Sequence, residues 1–224
     1  MADLKLVIFD MDGLLIDSER WSIKTFEKIA EQMGYEADLE VFCQGMGQKQ
    51  HKEIYRCFKG AKKEDEKQLE KEVMEFLEKE MAGLYEEGCS LRPGVRKILD
   101  YFKEEKIDMA VASSSSIEKV SQLIAKAKID PYFRFYVTAQ DIDQGKPDPE
   151  IFLKACKKAR VETNEALVFE DSQNGAMAAC RAKIPFVLVP DIAYLSEEMK
   201  EKALCVVERI DDAIAKVNES CFRL

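Results

Sequence analysis

Residues 4–9 form an apolar run, broken only by Lys5, that stops abruptly at Asp10, and the same design recurs down the chain. Residues 109–112 run into four serines, 166–169 into Glu170 and Asp171, and 186–189 into Pro190 and Asp191; a weaker run at 135–137 lies between the second and third. Runs this short, apolar throughout and rich in β-branched and aromatic residues, read as strands buried on both faces, as in a parallel sheet. The stretches between them supply the helices. Val95, Ile98, Leu99 and Phe102 make one stripe behind Pro93 and Gly94, where a first helical turn accepts a proline. Ile117, Val120, Leu123, Ile124 and Ala127 make a second, and Ile151, Phe152, Ala155 and Cys156 a third. Ala176, Met177 and residues 179–182 give a helix of small side chains that can approach a sheet closely. Alternation of this kind predicts a doubly wound, Rossmann-like α/β sheet with right-handed crossovers.

From about residue 18 to 87 the alternation stops and helical patterns take over. Phe26, Ile29, Ala30 and Met33 form one stripe, closed by Gly34. From Lys62 onward Lys and Glu dominate, yet Leu69, Val73, Phe76, Leu77, Met81 and Leu84 fall on one face of a long helix, so the charge run reads as a solvated face. The expected organisation is an α/β core of residues 1–16 and 91–224 with an inserted all-helical cap of residues 17–90. Hinges are expected at 16–19 and 87–93. Open parallel sheets bind ligands beyond the carboxyl ends of their strands, and an inserted cap there would enclose a substrate.

Composition narrows the partners. A chain of 224 residues, 46% hydrophobic and 34% charged, has the apolar material for a packed core. The net charge of -9 argues against a nucleic-acid partner, whose phosphates select basic surfaces. The first apolar run is too short for a signal peptide or a membrane span, so the expectation is a cytoplasmic monomer that binds no membrane. Seven cysteines without a CxxC pair read as free thiols, and a single histidine leaves a thiolate nucleophile or a zinc site without partners.

The chemistry sits at the ends of the runs. Asp10 and Asp12 flank Met11 directly after the first strand, and Gly13 suggests a tight turn that crowds both carboxylates into one site. Two crowded carboxylates repel unless a cation or a shared proton offsets them, and Mg²⁺ is the hard, oxygen-seeking ion that phosphate chemistry commonly brings. Taken alone the acid pair also suits a surface turn. Residues 113–116 add hydroxyls and backbone N–H groups between a strand and a helix, where they can hold phosphate oxygens or cap the helix. Lys146, in the loop Gly145-Lys146-Pro147-Asp148-Pro149, can set an ammonium against a phosphate, and Glu170 and Asp171 add carboxylates for a metal.

Four segments carry a family resemblance: FDMDGLLIDSE at 9–19, ASS at 112–114, KPDPEIF at 146–152 and FEDSQNGAMAA at 169–179. Over nearly its whole length the chain resembles the haloacid dehalogenase superfamily, in the subgroup of β-phosphoglucomutase-like proteins and small-metabolite phosphatases. The resemblance implies a Mg²⁺-dependent phosphatase acting on a small phosphorylated metabolite through an aspartyl-phosphate. Asp10 would be nucleophile and metal ligand. Asp12 would be general acid and base and lend a backbone carbonyl to the metal. Ser113 and Ser114 would bind the phosphoryl oxygens, Lys146 would balance charge, Asp171 would ligate the metal, and Glu170 would do so directly or through a water. Dehalogenases lack the second aspartate, so halide displacement is not expected. The family's glucose-phosphate mutases carry a histidine on the first cap helix and an arginine near the cap's glycine segment. Ser22 matches the first position here, and Gln48 or Lys49 the second. The alternatives are a phosphomutase, which shares the same core residues, and a noncatalytic binding protein on the same fold, against which the intact set of acids, serine and lysine argues.

Overall fold

A computed structural model describes residues 2–44, 53–87, 90–192, 195–219 and 222–223. The chain divides into two compact units, Met1–Asp17 with Ser90–Leu224, and Ser18–Cys89. In chain order the first unit opens with strands β1 (Ala2–Asp3) and β2 (Leu6–Phe9). The second unit follows with α1 (Ser18–Gln32), β3 (Glu36–Ala37), α2 (Leu39–Gln44), β4 (Phe58–Lys59) and α3 (Glu66–Glu87). The first unit resumes with α4 (Val95–Glu104), β5 (Asp108–Ala112), α5 (Ile117–Lys126), β6 (Phe135–Val137) and α6 (Glu150–Ala159). It ends with β7 (Ala166–Glu170), α7 (Gln173–Ala182), β8 (Phe186–Leu188), α8 (Glu197–Lys202), β9 (Cys205–Val206), α9 (Ala213–Asn218) and β10 (Phe222–Arg223).

Six strands form one parallel sheet in the order β6-β5-β2-β7-β8-β9. This is the Rossmann-like α/β core that the apolar runs predict, with five of its strands at the predicted runs. The sixth, β9, has two residues at the sheet's edge and too little apolar sequence to stand out. Burial explains the runs. Along β2, Leu6 and Ile8 join a core cluster with Phe152 and Ala155 of α6 and Ala176 and Ala179 of α7. Phe9 instead stacks on Phe169 at 5.1 Å and meets Phe102 of α4 edge-on at 6.3 Å. Successive strand residues thus face opposite layers of helix, and neither layer tolerates a polar side chain. Each such Phe or Leu contributes about 1.5–3 kcal/mol by leaving water.

Among its described residues the second unit is mainly helical, with an antiparallel pairing of β3 with β4. Its core gathers Phe26, Ile29 and Ala30 from α1, Leu69 and Val73 from α3, and Ile54, Cys57 and Phe58 between them. Phe26 stacks on Phe42 at 4.1 Å. The Lys/Glu-rich stretch therefore buries Leu69 and Val73 and half-buries Phe76, as their spacing predicts, while the side chains of Leu77, Met81 and Leu84 lie outside the description. Gln48, Lys49 and His51 lie outside the described residues. Within the first unit the outgoing and returning chain are bonded side by side: the Asp17 N–H donates to the Ser90 carbonyl at 2.9 Å and the Arg92 N–H to that of Leu15 at 3.0 Å. A partly buried ion pair of 2.6 Å joins Arg92 to Asp191 in the loop after β8.

Among the described residues Cys43, Cys57, Cys156, Cys180 and Cys205 are free thiols. Burial pushes Cys57 and Cys156 up to about 11, so neither forms a thiolate near neutral pH. No helix among the described residues is long and apolar enough to cross a membrane.

Gly94, which opens α4, has φ of +89°, and a Cβ there would come within 2.0 Å of the Asp211 carboxylate. Asp211 is buried and pairs with Lys97 and Arg209, so it has little room to retreat. Gly94→Ala is expected to destabilise the protein by about 2 kcal/mol, combining a left-handed backbone with a steric conflict. Urea unfolding at neutral pH checks this.

Candidate active site

The chain leaves β2 for β5 and β6 on one side, then returns to β7, β8 and β9 on the other. Connections diverge at β2, and such a switch point opens a crevice beyond the strands' carboxyl ends. Register determines what lines it. Phe9 stands level with Val111 of β5 and Phe169 of β7. Asp10, Ala112 and Glu170 follow, and then come Met11, Ser113 and Asp171. The last residues of three adjacent strands therefore bring the acidic and serine segments together.

Asp10 is 8% exposed, and its N–H donates to the Phe169 carbonyl at 3.1 Å. The Lys146 ammonium, arriving from the loop between β6 and α6, donates to Asp10 Oδ1 at 2.5 Å, Glu170 Oε1 at 2.5 Å and the Ala112 carbonyl at 3.2 Å. These use all three of its protons. Its Nζ also lies 5.0 Å from the centre of the Phe152 ring. Burial works to lower the ammonium's pKa, but the two carboxylates override it and hold Lys146 charged. Glu170 is fully buried, and its Oε2 accepts from the Asp171 N–H, the Ser172 N–H and the Ser172 hydroxyl, each at 3.0 Å. Ser172 in turn caps α7 by accepting from the Gly175 N–H at 3.0 Å. Glu170 thus ties Lys146 to the start of α7.

Asp12 faces different partners. Its Oδ2 accepts from the Ser115 hydroxyl at 2.7 Å and lies 3.5 Å from the Ser113 hydroxyl. Its Oδ1 pairs with Lys119 at 2.9 Å. Ser113 is buried, and its Oγ accepts from the Ser115 N–H at 3.1 Å. Ser114 is exposed on the same turn, and Ser116 caps α5 by accepting from the Lys119 N–H at 3.3 Å. Ser115 and Lys119 are contacts of the site that the sequence reading did not single out. The serine run contained Ser115 without distinguishing it, and Lys119 reads as an ordinary helix-surface lysine.

The structure places Asp10, Lys146 and Glu170 in one bonded group and Asp12 with Ser113 in another, both at the ends of β2 and β5. It does not gather Asp10, Asp12, Glu170 and Asp171 as four side-chain ligands. Among the described residues no three His, Cys, Asp or Glu side chains are grouped to hold a metal. The Lys146 ammonium, shared with Glu170, nonetheless does not offset the burial of the Asp10 carboxylate. Burial, opposed by Lys146 and reinforced by Glu170, pushes it up to about 7. A hard divalent cation beside Asp10 would offset that, and the oxygen donors at the strand ends suit one.

Residues 7–189 match the sequence profile of the haloacid dehalogenase-like hydrolases. The phosphorylated carbohydrates phosphatase of Thermotoga maritima is 31% identical to the chain, over 81% of this chain and 82% of the relative. The β-phosphoglucomutase of Bacillus subtilis is 27% identical over 78% of each. The crystal structure of CbbY from Rhodobacter sphaeroides, in complex with phosphate, superposes with a TM-score of 0.73 at 22% identity, covering 96% of this chain and 99% of that one, a likeness of fold. With the profile matched over most of its length, the chain belongs to the haloacid dehalogenase-like hydrolase family.

Proposed function

We propose that the chain is a magnesium-dependent phosphatase that hydrolyses a small phosphomonoester, such as a sugar phosphate, through a phosphoryl group carried on Asp10. The observation that carries this reading is the seating of Asp10: a buried carboxylate at the sheet's switch point, fixed by an ammonium that is itself pinned on Glu170 and the Ala112 carbonyl. A carboxylate held in this way meets phosphorus along one line of approach, while the adjacent cation balances charge on the phosphoryl oxygens.

In the first half-reaction an Asp10 oxygen bonds to phosphorus as the bond to the ester oxygen breaks, and Asp12 gives that oxygen a proton. In the second, water attacks the phosphorus, Asp12 takes its proton, inorganic phosphate leaves and the Asp10 carboxylate is restored. Ser113 and Ser114 hold the phosphoryl oxygens. The side chains of Asp10 and Asp171 and the Asp12 carbonyl would hold Mg²⁺, which would supply charge neutralisation to the transferring group. Glu170 anchors Lys146. The helical unit serves as the cap, pivoting at residues 16–19 and 87–93.

The similarity to a phosphorylated carbohydrates phosphatase supports hydrolysis of a sugar phosphate. The similarity to a β-phosphoglucomutase supports phosphoryl return to a second hydroxyl as the other reading. A mutase must grip the distal phosphate of a bisphosphorylated intermediate. Ser22, at the position of the mutases' histidine, donates its hydroxyl to the Ser18 carbonyl at 2.9 Å, which favours the phosphatase. A screen of phosphorylated metabolites with Mg²⁺, scoring released phosphate and isomer formation separately, tests both. Multiple turnovers of phosphate release are expected. Conversion of a hexose 1-phosphate to the 6-phosphate with negligible release would establish the mutase instead, and no turnover of any kind would favour a binding protein.

A further inference from the structure

Lys119 is an unusual lysine for its position. It is the third residue of α5, where the helix N-terminus carries partial positive charge and an ammonium is disfavoured. Its side chain is only 22% exposed, whereas lysines are rarely buried unless paired. What offsets both costs is Asp12. The ammonium lies 2.9 Å from Asp12 Oδ1, while Ser115, on the same turn, donates to Oδ2 at 2.7 Å. One oxygen of this carboxylate therefore accepts a hydrogen bond and the other faces an ammonium, both from a single loop and helix start, and that segment also carries Ser113. Local propensity is set aside here to fix one side chain, the kind of conflict found where a site demands it.

We propose that Lys119, with Ser115, is a positioning residue that sets the direction of the Asp12 carboxylate, so that proton transfer to the leaving oxygen depends on Lys119. This rests on the phosphatase reading above. A carboxyl group three residues beyond the strand end, just before a turn, has several rotamers open to it. Tethering from α5 selects one of them and keeps it level with the phosphate-binding serine. Lys119 forms and breaks no bond to substrate. It acts through Asp12.

The consequence is a dependence on the leaving group. An alkyl phosphate expels an oxygen that must be protonated as it departs, whereas 4-nitrophenolate leaves well without a proton. The quantity to measure is kcat/KM, which covers events up to loss of the leaving group and excludes later hydrolysis of the phosphoenzyme. In Mg²⁺ buffer, Lys119→Met is expected to lower kcat/KM for glycerol 2-phosphate by about 30-fold or more, a part of what general acid catalysis supplies. For 4-nitrophenyl phosphate the loss should stay below about fivefold, which also shows that the variant folds and binds phosphate. Lys119→Arg should recover most of the alkyl-phosphate activity, and Ser115→Ala should repeat the selectivity of Lys119→Met in weaker form. Equal losses on the two substrates would overturn the proposal by assigning Lys119 to folding or phosphate binding. Unchanged kinetics on both would overturn it by showing that Asp12 needs no tether. Should the wild-type protein release phosphate from neither compound, the phosphatase reading fails and this inference with it.

Discussion

Asp10→Asn is expected to lower kcat by about a thousandfold or more while leaving the fold intact, because in the proposed mechanism an amide replaces the attacking carboxylate with a group of the same shape and almost no nucleophilicity. The amide oxygen can still accept from Lys146, so the contact that seats this side chain survives. Stability should respond in the opposite sense. Asp10 is raised to about 7 in the folded protein from an ordinary value near 3.8, so its neutral form is the one the fold prefers. Its contribution is fully present below pH 3.8 and is lost as pH rises through about 7. A neutral asparagine escapes that loss. In EDTA at pH 7.5 the variant should melt above the wild type, and the gap should close as pH falls toward 4. Calorimetry across that range, beside phosphate release in Mg²⁺, checks both halves. Full activity in the variant would remove Asp10 as the nucleophile.

How much of this was legible beforehand follows from where each residue sits. A strand buried on both faces must be apolar throughout, so β2, β5, β7 and β8 advertise themselves, and the polar residue that ends each run marks the crevice. Asp10, Ser113, Glu170 and Asp171 are readable for that reason. Lys146 is readable from the rigidity of its loop. Side-chain direction is less accessible. The turn after Asp10 was expected to crowd Asp10 and Asp12 into one site, and their charges do act on each other, yet one carboxylate is bonded to Lys146 and the other to Ser115 and Lys119, partners that the sequence reading did not assign. Rotamer choices of this kind depend on neighbours distant in sequence. Lys119 went unnoticed because a lone lysine in an amphipathic helix looks solvated. The edge strand β9 and the β3–β4 pairing were missed because two-residue strands have no periodicity to detect.

Gly175 shows the same limit from the other side: it reads as a motif residue, but its reason lies in space. It occupies the first turn of α7, directly against Glu170, and a Cβ there would lie 1.8 Å from Oε1, 1.9 Å from Cδ and 2.3 Å from Oε2. Separations this far inside van der Waals contact cannot be held, so the helix start and Glu170 cannot both stay in place. The carboxylate is not free to swing aside. It is fully buried and holds Lys146, two backbone N–H groups and the Ser172 hydroxyl. Gly175→Ala is therefore expected to cost about 3 kcal/mol of stability, the upper range for overpacking. Displacing Glu170 also slackens Lys146 and with it the seat of Asp10, so kcat should fall by about a hundredfold, as misplacement of a catalytic group by an ångström does. A double-mutant cycle isolates the cause. Glu170→Ala removes the atoms that the new methyl would strike, at the expense of stranding Lys146. If the conflict is local, Gly175→Ala should cost far less stability in the Glu170→Ala background than in the wild type, giving a large coupling between the two positions. Equal costs in both backgrounds would place the strain elsewhere in α7, and Glu170 would no longer be the reason this helix begins its third residue with glycine.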